Sequence, residues 1–270
     1  MGASPGVGPA EGGVGVLASG VSSPGSLASA RAALEFALES LERYDAPDLL
    51  RGGGVLQRAA VRLCAPVPRP GKIVGVARNY PSHAAERGGP AGGEQPVLFL
   101  KAPSAVIGPG DAIVLPKESL RVDYEGELAL VIGKKTKNQP QEKWMEALAG
   151  VTCANDVTAR DLQKKDGQWA RGKSFDTFCA VGPAIVSGLD PSDLAITTRV
   201  NGAIKQSSRT SEMVFPPAFL VAYISRMMTL NPGDLILTGT PAGVGPLSPG
   251  DTVEVEIEKV GILTNRVASA

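Results

Sequence analysis

Histidine is almost missing from this 270-residue sequence, which has one, His83, and cysteine occurs three times, at Cys64, Cys153 and Cys179. No CxxC pair is present to serve zinc or redox chemistry, and an odd number of widely spaced thiols gives no disulfide framework. A reducing, cytoplasmic setting is the expectation. Excess charge of either sign is lacking too, with 27 basic residues against 27 acidic ones. Without a basic stripe, the electrostatic footprint of a nucleic-acid binder is missing. No apolar run approaches the ~20 residues that cross a bilayer, so no membrane span is expected. The first thirty residues have neither the basic nor the apolar region of a signal peptide, and Arg31, the first basic residue, argues against a mitochondrial presequence. A GxGxxG between strand and helix is also absent, which excludes the usual dinucleotide site. What remains is a protein whose partners are small molecules or other proteins.

The chain is long enough to bury a core without staples. Its Gly/Ser/Pro-rich opening, residues 1–24, carries no assignable function, although a weak strand over 14–17 fits it. Over 26–44, Leu27, Ala30, Leu34, Leu38 and Leu41 recur at helical spacing after a Ser26 cap, which predicts one amphipathic helix. The proline-spaced stretch 65–70 reads as a semi-rigid connector. It divides a small N-terminal region with a flexible start, 1–65, from a larger domain, 66–270. Beyond the connector short β-branched runs dominate, at 73–76, 97–100, 112–115, 127–132, 184–186, 195–200, 235–237 and 253–257. Helical patches are few, chiefly 141–148 and 217–228. The expectation is a mainly β (α+β) body, a sandwich or roll and not an alternating βαβ sheet.

Strand alternation over 125–132 places Glu125, Glu127, Ala129 and Val131 on one face and Leu128, Leu130 and Ile132 on the other. Two carboxylates ~6 Å apart at an effective dielectric of ~20 repel by roughly 3 kcal/mol, so something positive belongs between them. Alone, an ExE of this kind is more often a solvated strand face. It gains company from Asp156, which ends the strand-like run 150–154, although a turn or helix cap explains that residue equally well. With one histidine and no paired thiols, any metal here must be held mostly by oxygen, which suits Mg²⁺ or Mn²⁺ better than zinc. His83 and Glu86 sit three residues apart on a short helix expected after Pro81, so the carboxylate can fix the imidazole's tautomer and raise its basicity. The same spacing is frequent on ordinary helix surfaces. The glycine-rich stretch after it, 87–93, has the makeup of a lid. Lys173, in the polar stretch 167–176, and the hydroxyl-bearing turn 238–243 are polar in a way that folding does not demand, Lys173 offering a charge for an anion, although a plain loop explains either segment.

Six ordered segments together resemble the fumarylacetoacetate hydrolase superfamily from about Pro66 to Val267: VGVARNYPSHAAE, PVLFLKAPSAVIGPGDAIVLP, VDYEGELALVIGKK, AGVTCANDVTARDLQ, GQWARGKSFDTFCAVGPAIV and PGDLILTGTPAGVG. The resemblance implies a mixed β-sandwich roll, usually a homodimer, with Glu125, Glu127 and Asp156 as the metal triad and His83 and Glu86 as the catalytic pair. It further implies that Arg160, Gln163, Lys173 and Thr240 meet a substrate carboxylate and its oxo group. Fumarylacetoacetate hydrolase proper carries a further metal-site aspartate where this chain has Arg78, Asn79 and Tyr80. That departure points to the broader branch of acylpyruvate hydrolases, oxaloacetate decarboxylases or tautomerases, and 2-hydroxyhepta-2,4-dienedioate isomerases. The expected substrate is a small 2-oxo or diketo acid, whose polarised carbonyl gives an enolate common to all these reactions. Acylpyruvate-type C–C hydrolysis is the first expectation, and the tautomerase, decarboxylase and isomerase reactions are the alternatives. A metal-binding dimer without catalysis is the rival from another class, but such a chain would be expected to have lost a ligand or the His83/Glu86 pair.

Overall fold

The structure is a computed structural model that describes residues 62–86, 88 and 93–270. The helix expected over 26–44, the weak strand over 14–17 and most of the glycine-rich stretch lie outside the described residues. No helix among the described residues is long and apolar enough to cross a membrane.

Strands carry the body. In chain order they are β1 (Ile73–Ala77), β2 (Val97–Lys101), β3 (Val106–Ile107), β4 (Ala112–Leu115), β5 (Val122–Tyr124), β6 (Gly126–Ile132), β7 (Leu148–Asp156) and β8 (Thr158–Ala159). There follow β9 (Cys179–Val186), β10 (Ala195–Val200), β11 (Ala203–Arg209), β12 (Leu235–Leu237), β13 (Gly245–Pro246), β14 (Thr252–Ile257) and β15 (Gly261–Ser269). Among the described residues four α-helices decorate them: α1 (Pro81–Glu86), α2 (Arg160–Asp166), α3 (Ala170–Lys173) and α4 (Pro217–Met227). The patch expected to be helical over 141–148 is a 3-10 helix, Gln141–Ala147.

Seven strands form one sheet in the order β2-β1-β12-β6-β7-β9-β3, five form a second in the order β11-β10-β14-β15-β4, and β13-β5-β8 make a small third. Pairing is mixed: β1 with β12, β3 with β9 and β4 with β15 run parallel, while the remaining neighbours are antiparallel. This is the mixed β roll that the sequence leads one to expect.

The central strand β6 is buried at every position. Leu128, Leu130 and Ile132 enter one core with Leu220 and Ile224 of α4 and Ile196 of β10, whereas Ala129 and Val131 enter another with Ile113, Phe178 and Val253. A strand with both faces covered has no solvated side, so the bland reading of the ExE pair does not hold. Helix α4 starts on Pro217, whose fixed φ suits a first turn, and it turns Leu220, Val221 and Ile224 inward. Strands β10 and β14 each alternate buried and half-buried residues, the pattern of strands with a single packed face.

Candidate active site

Strand pairing brings the acids together. Gly126 of β6 lies opposite Asn155 of β7, which sets Asp156, the last residue of β7, beside Glu125, and the Asp156 N–H donates to the Glu125 carbonyl at 2.8 Å. The Asn155 side-chain oxygen accepts the Glu125 N–H at 2.9 Å. One oxygen from each of Glu125, Glu127 and Asp156 lies within 4.8 Å of the others, and all three residues are buried. Carboxylates this close and this dry must be neutralised or protonated.

Buried cations supply much of that neutralisation. Lys173, at the end of α3, reaches Glu125 Oε2 at 2.7 Å and Asp156 Oδ2 at 2.5 Å. Arg160, which opens α2, reaches Glu125 Oε1 at 2.5 Å and Asp123 at 3.0 Å, and donates to Gln163 Oε1 at 2.7 Å. Lys101, the last residue of β2, lies 2.6 Å from Asp156 Oδ1, off the hydrogen-bond axis, and donates to the Val157 carbonyl at 3.2 Å. Burial alone would raise the Glu125 carboxyl, but Lys173, then Arg160 and His83, outweigh it and hold it below its ordinary value. Glu127 goes the other way, pushed well up by burial and then by Asp156 and Glu125. Burial would lower the Lys173 ammonium, yet Asp156 and Glu125 keep it above its usual range. The acids therefore differ: Glu125 is satisfied, while Glu127 meets repulsion from Asp156 and Glu125 and accepts one Gly239 N–H at 2.6 Å.

Around this centre the other residues singled out from the sequence assemble. The His83 Nδ1 lies 3.4 Å from Glu86 Oε2 on α1. The helix is tied to the turn after β12, since the Gly243 N–H donates to Glu86 Oε1 at 3.2 Å and the Ala242 N–H to Ser82 Oγ at 3.4 Å. Gly239, with φ of +96°, passes so close to Asn79 that an added Cβ would stand 2.8 Å from the Asn79 Cβ. Thr240 is committed to the fold, its hydroxyl donating to the Gly126 carbonyl at 2.8 Å and accepting from Gln206 at 2.7 Å.

Four residues that the sequence reading did not single out also matter. Lys101 ends an apolar strand, where a lysine reads as a surface terminus, yet it is 2 % exposed. Asp123 continues the alternation of Glu125 and Glu127 two residues earlier, a signal that was open to reading, and it anchors Arg160. Asn79 donates to the Phe215 and Thr238 carbonyls and accepts the Phe215 N–H. Gln206 lies on β11, a polar strand with no β-branched run to mark it.

A mixed β roll with converging carboxylates and ammonium groups at its centre defines the class. The chain belongs to the fumarylacetoacetate hydrolase family: the family model described as fumarylacetoacetate (FAA) hydrolase C-terminal matches residues 72–268. Oxaloacetate tautomerase fahd2, mitochondrial, of Xenopus laevis is 46 % identical over 225 residues, covering 79 % of this chain and 71 % of that protein. Among solved structures, 5-carboxymethyl-2-hydroxymuconate delta-isomerase from Mycobacterium smegmatis is 48 % identical with a TM-score of 0.75, covering 80 % of this chain and 83 % of that one. A 2-hydroxyhepta-2,4-diene-1,7-dioate isomerase from Mycobacterium marinum is 49 % identical with a TM-score of 0.72, covering 78 % and 79 %. Tautomerases, isomerases and hydrolases of this family are enzymes.

The residues present fit the divalent metal that the family implies. The donors are three hard oxygens with no thiolate among them, all buried and within 4.8 Å of one another.

Proposed function

We propose that this chain is a Mg²⁺- or Mn²⁺-dependent enzyme that enolises a small 2-oxo acid, with a keto–enol or 1,3-proton shift as its reaction. The observation that carries the reading is the convergence of Glu125, Glu127 and Asp156 within 4.8 Å in a buried centre. These three would hold the ion, which when bound polarises the 2-oxo group and offsets negative charge that develops on its oxygen. Arg160, steadied by Asp123 and beside Gln163, presents a planar guanidinium to the substrate carboxylate. Lys173 adds a second positive charge from a buried position. His83, with Glu86 behind Nδ1, would take and return the proton at the carbon next to the carbonyl. The proton shift is put first because relatives at 46–49 % identity are named as a tautomerase and isomerases, although one at 44 % is named a fumarylacetoacetate hydrolase.

C–C hydrolysis of an acylpyruvate is the second reading, because a histidine backed by a carboxylate can equally activate water. The substrate is in either case a small 2-oxo or diketo acid, and the protein is proposed to act as a homodimer in the cytoplasm. The purified protein should be assayed with Mg²⁺ on oxaloacetate, acetylpyruvate and fumarylpyruvate, following keto–enol exchange, decarboxylation and cleavage separately. Faster keto–enol exchange of oxaloacetate, lost on chelation and in Glu127→Gln, is the expected result. Cleavage of acetylpyruvate without exchange would replace the first reading by the second. Activity indifferent to chelation would sink the metal-dependent reading altogether.

A further inference from the structure

The peptide between the two glutamates is held by a side chain from the other sheet. Gln206 is the one buried residue of β11, the edge strand of the five-stranded sheet, in an otherwise exposed or half-buried run. Its Oε1 accepts the Gly126 N–H at 3.0 Å, and its Nε2 donates to Thr240 Oγ at 2.7 Å and to the Pro241 carbonyl at 2.8 Å. Thr240 in turn donates to the Gly126 carbonyl at 2.8 Å. Gly126 N–H, Gln206 amide, Thr240 hydroxyl and Gly126 carbonyl thus close a ring around the residue that joins Glu125 to Glu127. The amide can sit only one way, because turning it over would point its NH₂ at the Gly126 N–H and its oxygen at the Pro241 carbonyl. The ring also explains the glycine: a Cβ at Gly126 would run into Thr198 Oγ and close to Gln206 Oε1.

We infer that Gln206 is a positioning residue for the proposed cation site, fixing the backbone on both sides of Gly126 so that the Glu125 and Glu127 carboxylates point at a common centre. The inference rests on the metal reading above. The Gly126 N–H and C=O belong to the two peptide units that join it to Glu125 and to Glu127, so holding both restrains the direction of both flanking side chains. A polar network of this kind is stabilising when every member is satisfied and disruptive when one leaves. Partners behind metal ligands commonly matter 10–100-fold in metal affinity.

The test uses Gln206→Met, Thr240→Val and Thr240→Ser in the full chain. Mn²⁺ affinity is measured by calorimetry, circular dichroism reports the fold, and hydrogen exchange reports the Gly126 amide. Gln206→Met and Thr240→Val should each bind Mn²⁺ about 10–100-fold more weakly with an unchanged spectrum. Thr240→Ser, which keeps the hydroxyl, should bind as the wild type does. If Gln206→Met fails to fold, the two Thr240 variants decide alone. Wild-type affinity in Gln206→Met, or in Thr240→Val, overturns the inference and leaves the metal reading standing. Wild-type protein that binds no Mn²⁺ removes the metal reading instead. In that case the Gly126 amide decides the ring: exchange in Gln206→Met no faster than in the wild type overturns it, and faster exchange at Gly126 with protection kept at Leu130 supports it.

Discussion

Lys173 stands where a cation is wanted, so Lys173→Met should make the protein's stability depend on metal. Its ammonium contacts Glu125 at 2.7 Å and Asp156 at 2.5 Å, with a side chain 3 % exposed. Removing one partner of a buried pair leaves an uncompensated charge, typically at a cost of 3–5 kcal/mol. For a body of about this size each kcal/mol shifts the melting temperature by roughly 2–4 °C, so the metal-free variant should melt about 6–20 °C below the wild type. Divalent cation then acts in the opposite sense. An ion among the carboxylates would lie within roughly 5 Å of the Lys173 ammonium, and at an effective dielectric of ~20 a single and a double positive charge repel there by roughly 7 kcal/mol. Even a fraction of that, released in the variant, tightens Mn²⁺ by at least about tenfold, since 1.4 kcal/mol is a factor of ten. Stabilisation by a ligand grows as the logarithm of its concentration over its dissociation constant. Mn²⁺ should therefore raise the melting temperature of Lys173→Met more than that of the wild type, and the gap between the two should narrow across a titration followed by scanning calorimetry. A constant gap would show that Lys173 and the ion do not share the carboxylates. Turnover should remain low in the variant even with Mn²⁺ bound, because the charge proposed to face the substrate is gone.

His83→Ala should keep Mn²⁺ affinity while kcat falls by roughly 10²–10⁴, the usual worth of a general acid or base; near-normal turnover would remove His83 from the chemistry. Only Cys64 among the three thiols is exposed, and burial pushes both the Cys153 and the Cys179 thiol up to about 12, so a thiol reagent near pH 8 should label one cysteine in the native protein and three in denaturant. Labelling of Cys153 or Cys179 in the native state would contradict the packing of β7 against β9. Gly126→Ala should destabilise by about 1–3 kcal/mol in urea unfolding, the usual penalty for overpacking, because the new methyl meets Thr198; unchanged stability would mean that the two sheets are not in close contact there. Pyruvate, a monoanionic 2-oxo acid, should tighten Mn²⁺ binding in calorimetry, and equal affinity with and without it would refute a site that balances its charge over both ligands.

Much of the body was legible in the sequence because the local signal and the packing agree. The runs 112–115, 195–200 and 235–237 are the strands β4, β10 and β12 to the residue, each being β-branched and bounded by turn formers. The apolar halves of β6 could be separated by alternation alone, and both halves are indeed buried, in different cores. Strands β11 and β15 escaped notice for a physical reason. AIKQSSR turns one residue, Gln206, inward, and GILTNRVAS interleaves Asn265 and Arg266 with its apolar positions, so neither has the composition of a strand and both owe their form to pairing with neighbours. The convergence of the acids was legible as two glutamates on one face, but the arrival of Asp156 depends on the register of β6 against β7, which no local pattern encodes. Lys101 was hidden for a similar reason: only tertiary placement turns a strand-terminal lysine into a buried counter-ion of Asp156.

The arrangement of charge gives the site a preference for two ligands together. Four buried carboxylates, Asp123, Glu125, Glu127 and Asp156, share the site with three largely buried cations, Lys101, Arg160 and Lys173, which pair with all of them but Glu127. Arg121 also pairs with Asp123, but its side chain is half exposed and its charge is largely screened by water. If all four carboxylates are ionised, the buried set carries one excess negative charge. A divalent ion alone reverses that to one excess positive charge, and a monoanionic 2-oxo acid alone worsens the existing excess. Both together bring the set to neutrality. In a centre with little water, charge imbalance is expensive, so ion and substrate must each improve the site for the other, by the same factor in both directions. The excess without ligands falls on Glu127, the acid that burial and its two neighbours push well above its ordinary value. Glu127 is therefore the ligand whose state is most sensitive to what is bound. On the proposed reading, charge balance would be complete only with ion and substrate both present, and Arg160 and Lys173 would then meet the substrate carboxylate without being rebuilt during the reaction.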